Sequence, residues 1–121
     1  MKTILVVDDQ PEVVGLLQDI LSLEGYRVLT ADSTEPARKQ LAVKKVDLVF
    51  LDVDMPGESG HELCKFIKSF PESPKVVMLT GLEEEAHWQE GFRVGADVYA
   101  VKPFGRDRIL LIVRELIGEA D

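Results

Sequence analysis

The fold is decided by the stretch Ile4-Leu5-Val6-Val7-Asp8-Asp9-Gln10-Pro11. Its first four residues are apolar at consecutive positions, which a strand tolerates only when both faces of its sheet are covered. Two acids follow at once, and Pro11 suits the first position of a helix because its missing N–H is not needed there. The stretch therefore predicts a central strand of a parallel sheet, followed by a helix that begins at Pro11.

Short apolar runs alternate with longer amphipathic runs along the whole chain, a pattern typical of a parallel sheet with helices on both faces. On the first helix, Leu16 and Leu17 belong to the face expected to meet the sheet. No linker or repeat interrupts the 121 residues, so we expect one domain over 1–121. We predict strands at 4–7, 27–31, 46–51, 75–79 and 98–101, each followed by a helix, the third near 61–69 and the fourth near 83–94.

Composition and charge exclude several classes of protein. The formal net charge of -8 disfavours direct binding to nucleic acid, which depends on basic side chains that release counterions. The longest apolar run, 109–113, is far shorter than the roughly 20 residues that cross a membrane, so we expect a cytoplasmic protein. Cys64 cannot form an internal disulfide and is interpreted as a core residue. His61 and His87 are isolated and are interpreted as ordinary polar helix residues.

Polar side chains stand where the apolar strands end. Asp8 and Asp9 end the first strand, Asp52 the third, Thr80 the fourth and Lys102 the fifth. Ligands of open α/β sheets bind at the carboxyl ends of the strands. An acid after a strand is often only a helix cap or turn residue, but three acids at two strand ends exceed what capping requires. Repulsion between neighbouring carboxylates, about 4 kcal/mol for a pair 4 Å apart, requires cations, and we predict a Mg2+ site beside the lysine.

The chain resembles a receiver domain of the two-component response regulator family, of the chemotaxis-regulator type. The resemblance is carried by the fragments VVDD at 6–9, LDVDMPG at 51–57, LTG at 79–81 and GADVYAVKPF at 95–104. Each fragment alone is weak, but their order and spacing span nearly the whole chain. The resemblance implies a flavodoxin-like, doubly wound sheet of five parallel strands in the order 2-1-3-4-5, flanked by five helices.

The resemblance also implies roles for the acids. Asp52 matches the aspartate that accepts a phosphoryl group from a histidine kinase or a histidine phosphotransfer protein. Asp9 matches the direct Mg2+ ligand, and Asp8 the acid that acts through water. Asp54 matches the residue whose backbone carbonyl completes the protein ligands of the metal.

The remaining matched residues concern the phosphoryl group and its signal. Thr80 and Lys102 match the hydroxyl and the ammonium that contact phosphoryl oxygens, and the peptide bond between Lys102 and Pro103 matches one that is cis in the family. Phosphorylation would draw Thr80 toward the phosphoryl group and let Tyr99 turn inward. The plain alternative is that Tyr99 is a half-buried strand residue with its hydroxyl in water.

A partner surface is implied on the fourth helix, the fifth strand and the fifth helix. Trp88 and Phe92 stand four residues apart and share a helix face, which is equally compatible with anchoring in the core. Leu111 points away from the apolar stripe of the fifth helix and, with Tyr99, would complete the surface. An effector domain, or a second receiver in a homodimer, would dock there.

Two other functions remain open at this stage. The spacing of Asp52 and Asp54 also resembles haloacid dehalogenase phosphatases, which use an aspartate nucleophile and a second aspartate two residues later. In those enzymes, however, that pair follows the first strand and an acidic pair comes last, the reverse of the order here. A degenerate receiver that only binds a partner is the second alternative. We expect a signalling protein that catalyses only its own phosphorylation and dephosphorylation.

Overall fold

The computed structural model describes residues 1–53, 55, 57, 59–81 and 93–121. Within these ranges the chain forms nine elements of secondary structure. The strands are β1 (Thr3–Val7), β2 (Arg27–Ala31), β3 (Leu48–Asp52), β4 (Lys75–Thr80) and β5 (Val98–Val101). The helices are α1 (Pro11–Leu23), α2 (Thr34–Val43), α3 (Gly60–Lys68) and α4 (Arg106–Ile117). Helix α4 corresponds to the fifth predicted helix, and the predicted helix at 83–94 lies mostly outside the described residues.

All strand pairs are parallel, and the sheet has the order β2-β1-β3-β4-β5. The predicted order and the flavodoxin-like class are thus confirmed. Every residue of β1 and β3 is buried, which explains their unbroken apolar sequences. Strand β3 starts later than predicted, at Leu48, and extends to Asp52, which pairs with Leu79 of β4. The acid is therefore held by the sheet rather than by a loop.

The core forms two layers, one on each face of the sheet. Ile4 and Val6 of β1 face the layer formed with α1 and α4, whereas Leu5 and Val7 face the layer formed with α2 and α3. Burying one such side chain fully contributes about 1.5 to 3 kcal/mol. Because β1 is anchored from both sides, the acids that follow it occupy a fixed position.

The prediction that Leu16 faces the core is wrong. The buried face of α1 carries Leu17, Ile20 and Leu21, but Leu16 is 46% exposed. The buried stripe of α1 is narrower than the helical wheel implied, and Leu16 lies at its margin. There it lines a surface cleft together with Phe104, which precedes α4.

Gly60 fixes how closely α3 approaches the end of β3. A Cβ atom at Gly60 would collide with the carbonyl oxygen of Asp52 and would also crowd the backbone of Val53. The helix start is held further by Ser59, whose side chain accepts a hydrogen bond from the backbone N–H of Glu62 at 3.3 Å. Because Gly60 has no side chain, α3 can pack directly against the backbone of Asp52 and fix its position.

We expect Gly60→Ala to lower the free energy of unfolding by about 2 kcal/mol, because α3 and β3 must separate to admit the methyl group. Urea unfolding followed by circular dichroism measures the change. Gly15→Ala is the matched control, since a Cβ atom at Gly15 of α1 meets nothing within 4 Å. That control is expected to be up to about 1 kcal/mol more stable than the original chain. Equal losses in both variants would contradict the packing argument.

Candidate functional site

Three acids meet at the carboxyl end of the sheet. Asp8 and Asp9 follow β1, Asp52 ends β3, and one carboxylate oxygen from each lies within 4.8 Å of the others. Adjacency of β1 and β3 produces this meeting, because parallel neighbours end at the same edge. The cavity beside the acids has a volume of about 260 Å3 and is also lined by Gly81 and Lys102. We call this cavity and the acids around it the acidic pocket.

Lys102 is the cation of the acidic pocket among the described residues. Its Nζ atom lies 3.0 Å from Oδ2 of Asp8 and 3.7 Å from Oδ1 of Asp52, and it donates a hydrogen bond to Oε1 of Gln10 at 2.9 Å. Asp8 is 1% exposed and Asp52 is 3% exposed, whereas Asp9 is exposed. Among the described residues, one ammonium faces three carboxylates, two of which are buried, and this excess of negative charge is unfavourable without a further cation.

Asp8 carries a more specific sign of a cation site. Its Oδ1 atom accepts a hydrogen bond from the backbone N–H of Gln10 at 2.9 Å. Its Oδ2 atom is buried and receives no hydrogen bond from the described residues, because the contact with Lys102 is an ion pair without hydrogen-bond geometry. A buried carboxylate oxygen rarely lacks a hydrogen-bonding partner. Such an oxygen is also the kind of hard ligand that Mg2+ prefers. Asp8, Asp9 and Asp52 therefore fit a magnesium ion, while Asp54 lies outside the described residues.

The other side of the acidic pocket is formed by β4 and β5. Thr80 is fully buried at the end of β4, and its hydroxyl donates to the carbonyl oxygen of Gly81 at 3.2 Å. A Cβ atom at Gly81 would meet nothing within 4 Å among the described residues, which leave space at this side of the pocket. The backbone N–H of Lys102 donates to the carbonyl of Thr80 at 2.7 Å, which fixes the lysine beside the hydroxyl. The predicted cis bond between Lys102 and Pro103 is confirmed.

Sequence reasoning missed the role of His61. This residue of α3 is only 9% exposed, and its Nε2 atom lies 2.8 Å from the hydroxyl oxygen of Tyr99 in β5. Its interpretation as an ordinary polar helix residue is therefore wrong. Its spacing of three residues from Cys64 places both on the buried face of α3 and was the available signal, but the pairing with Tyr99 bridges 38 positions.

Tyr99 is already half-buried against the core layer beneath α2 and α3. Its hydroxyl contacts His61, so the alternative of a hydroxyl left in water does not describe this structure. Of the other residues predicted for the partner surface, Leu111 on α4 is 55% exposed. Trp88 and Phe92 lie outside the described residues.

Cys64 is a core residue, as predicted, with no exposed surface. Burial raises the pKa of its thiol to about 11, a shift that the ammonium of Lys68 opposes and the carboxylate of Asp97 reinforces. The thiol is therefore protonated near neutral pH, which disfavours its use as a nucleophile.

A second cleft, of about 620 Å3, adjoins the acidic pocket. The two share Gly81 and Lys102, and the second cleft is otherwise mostly apolar, with exposed Leu16 on one side and half-buried Phe104 on the other. We call it the α1 cleft.

A family model described as the response regulator receiver domain matches residues 4–114. The chain belongs to this family. It is 43% identical to the transcriptional regulatory protein YvrH of Bacillus subtilis over 103 residues, which cover 84% of this chain and 43% of the relative. It is 38% identical to PhoP of the same organism, the alkaline phosphatase synthesis transcriptional regulatory protein, over 120 residues, 99% of this chain and 50% of the relative. The receiver chain thus spans about half the length of these curated relatives.

Solved structures agree with this assignment. The response regulator TrrA of Thermotoga maritima, in complex with Mg2+ and BeF, superposes with a TM-score of 0.86 at 38% identity, covering 97% of this chain and all of that one. A response regulator of Chloroflexus aurantiacus gives a TM-score of 0.90 at 32% identity, covering 95% of this chain and 96% of the other. Among the residues described for this receiver, none of the helices is long and apolar enough to cross a membrane.

We expect Mg2+ to stabilise the protein through the acidic pocket. At a free concentration about 100 times the dissociation constant, the free energy of unfolding should rise by about 2.7 kcal/mol. Asp9→Asn should lose most of this gain, since it removes an exposed carboxylate from the site without disturbing the core. Urea unfolding in EDTA and in saturating Mg2+ measures the effect. Asp19→Asn, on the exposed side of α1, should keep it, and an equal gain in both variants would locate the ion elsewhere.

Proposed function

We propose that this receiver domain is a phosphorylation-dependent switch in which Asp52 accepts the phosphoryl group. The observation that carries the proposal is the setting of its carboxylate. It is 3% exposed, held at the end of a buried strand, and lies 3.7 Å from the ammonium of Lys102, at the edge of a cavity open to solvent. Desolvation and fixed orientation are what a carboxylate nucleophile needs.

The chemistry proposed is transfer from a phosphohistidine. An Asp52 oxygen attacks phosphorus, an O–P bond forms, the P–N bond breaks, and the imidazole leaves, so that an acyl phosphate remains. Such transfer depends on positioning and on neutralising charge on the phosphoryl oxygens. Lys102 would pair with one of these oxygens, and the hydroxyl of Thr80 would donate to another. Asp8, Asp9 and Asp52 would hold Mg2+, with the Asp54 carbonyl proposed as a further ligand, and the ion would supply additional positive charge there.

The proposed donor is a histidine kinase or a histidine phosphotransfer protein. Such a donor must cover the entrance at Gly81, and the α1 cleft offers it an apolar surface at Leu16 and Phe104 directly beside Lys102. The relatives are about twice as long as this chain and carry names of transcriptional regulators. We propose that the output likewise passes to an effector domain, or to a second receiver, in the cytoplasm.

We propose that the chain has no separate substrate and only loses its own phosphoryl group slowly. The alternative of a haloacid dehalogenase phosphatase is disfavoured by the family match over 4–114. The order of the motifs disfavours it as well. A degenerate receiver is disfavoured by the complete set of Asp8, Asp9, Asp52, Thr80 and Lys102 at one edge of the sheet.

Incubation with acetyl phosphate and Mg2+ tests the proposal. We expect the intact mass to rise by one phosphoryl group that is labile to acid and base, and Asp52→Ala should abolish the gain. Lys102→Ala should slow it on the order of 100-fold, since a positioned charge is lost from the transition state.

Asp19→Ala is the control, because Asp19 is exposed on α1 and lines neither the acidic pocket nor the cleft beside Asp8 and Asp9. It should be phosphorylated like the original chain. Turnover of small phosphomonoesters would instead indicate a phosphatase, and a chain that gains no phosphoryl group would be a degenerate receiver.

We propose that the signal leaves the site through Thr80 and Tyr99. The hydroxyl of Thr80 now donates to the carbonyl of Gly81, a contact that it can exchange for a phosphoryl oxygen. Tyr99 follows in the adjacent strand, where His61 holds its hydroxyl at 2.8 Å. The hydrogen bond to His61 favours the inward orientation of Tyr99 before phosphorylation, so the switch would shift a population rather than create a new conformation.

Trp88 is the single tryptophan of the chain and reports on the proposed partner surface. We expect phosphorylation to change its quenching by acrylamide, and we expect Thr80→Ala to lose this change while still gaining a phosphoryl group. Thr30→Ala, which removes an exposed hydroxyl from β2, should behave like the original chain. A full fluorescence response in phosphorylated Thr80→Ala would remove Thr80 from the switch.

A further inference from the structure

A cleft of about 490 Å3 lies at the amino end of the sheet, opposite the acidic pocket. It is bounded by the start of β1, the edge strand β2 and the connection from α2 to β3. Its volume lies within the range of about 300 to 1,000 Å3 typical of small-molecule sites. Nothing in the proposed switch uses this end of the molecule. We call it the basic cleft.

The lining of the basic cleft has an unusual charge for this chain. Lys2, Arg27, Lys44 and Lys45 line it, and Asp47 is its one acidic residue. The Oδ2 atom of Asp47 accepts a hydrogen bond from the backbone N–H of Thr3 at 2.8 Å, and its single negative charge offsets one of the four positive charges. A net positive surface thus stands in a chain whose formal charge is -8.

These four cations have no ion-pair partner among the residues that the structure describes. Elsewhere in the same ranges some cations pair with carboxylates, as Lys39 does with Glu35 and Lys68 with Asp97 at 2.7 Å. Even Asp47, which lies in the same cleft, forms no ion pair with them. The carboxylate of Asp47 and the solvent offset the repulsion among the four charges only in part, and a bound anion would offset it further.

The dipole of α2 accounts for only half of the cluster. Lys44 and Lys45 follow the carboxyl end of α2, where positive charge is favourable for any helix. Lys2 precedes β1 and Arg27 begins β2, so neither gains from that dipole. The parallel pairing of β1 with β2, in which Thr3 is the register partner of Arg27, brings them to the same end of the sheet as the lysines.

We propose that the basic cleft binds a small anion that carries several phosphate groups, of about the size of a nucleoside triphosphate. Four cations around one concave surface match a chain of phosphates, and half-buried Leu29 offers an apolar contact to the rest of the ligand. The overall negative charge does not oppose a small ligand, because salt screens charges beyond about 8 Å. A nucleic acid would extend past the cleft onto the acidic surface and is disfavoured.

Titration of the full chain with tripolyphosphate and with ATP, in EDTA, tests this site apart from the magnesium-dependent chemistry at Asp52. We expect saturable binding by calorimetry, with amide shifts in 1H–15N spectra centred on residues 2, 27, 29 and 44–47. The double variant Lys44→Gln/Lys45→Gln should bind at least on the order of tenfold more weakly, since two charge-assisted contacts are lost. Asp47→Asn keeps an acceptor for the Thr3 N–H and removes the opposing charge, so it should bind several times more tightly.

Lys65→Gln/Arg108→Gln is the matched control, with the same change of charge at exposed positions outside the cleft. It should bind like the original chain. Absence of saturable binding, shifts centred on the acidic pocket, or equal losses in the two double variants would overturn the proposal. Weaker binding by Asp47→Asn would also contradict it. Phosphorylation of Asp52 by acetyl phosphate should be unchanged in Lys44→Gln/Lys45→Gln, which separates this site from the switch.

Discussion

Repulsion among Asp8, Asp9 and Asp52 is the constraint on which the functional end of this receiver depends. Two of these acids are almost fully buried, and the ammonium of Lys102 offsets only part of their charge. A fold tolerates such an arrangement only when the rest of the structure holds it in place. The excess negative charge favours a cation in the acidic pocket, and the phosphoryl transfer proposed for Asp52 would draw on positive charge at the same place.

The apolar layers on both faces of the sheet provide the energy that holds the acids. Strand β1 is anchored by α1 and α4 on one side and by α2 and α3 on the other, so the chain cannot relax to spread the acids apart. Gly60 adds a local restraint by admitting α3 against the carbonyl of Asp52. The stability of the core thus maintains the electrostatically unfavourable acidic pocket. In this fold, core stability and the geometry of the acidic pocket depend on each other.

The two ends of the sheet have opposite electrostatic character. Among the described residues, acids outnumber the cation at the carboxyl end and a metal ion fits, whereas at the amino end four cations without ion pairs surround one acid. Both clusters assemble residues from segments far apart in the chain, because parallel strands bring all their beginnings to one edge and all their ends to the other. The fold also brings together His61 of α3 and Tyr99 of β5, which meet across the core layer.

The amino-acid sequence by itself determined the five strands, the start of α1 at Pro11 and the set of acids at the strand ends. Apolar periodicity and proline geometry act locally, so they are readable without coordinates. Only the tertiary structure decided that Leu16 is exposed, that His61 contacts Tyr99, and that Lys2 and Arg27 join Lys44 and Lys45. These outcomes depend on contacts between residues far apart in the chain, and local pattern carries no information about which distant side chains will meet.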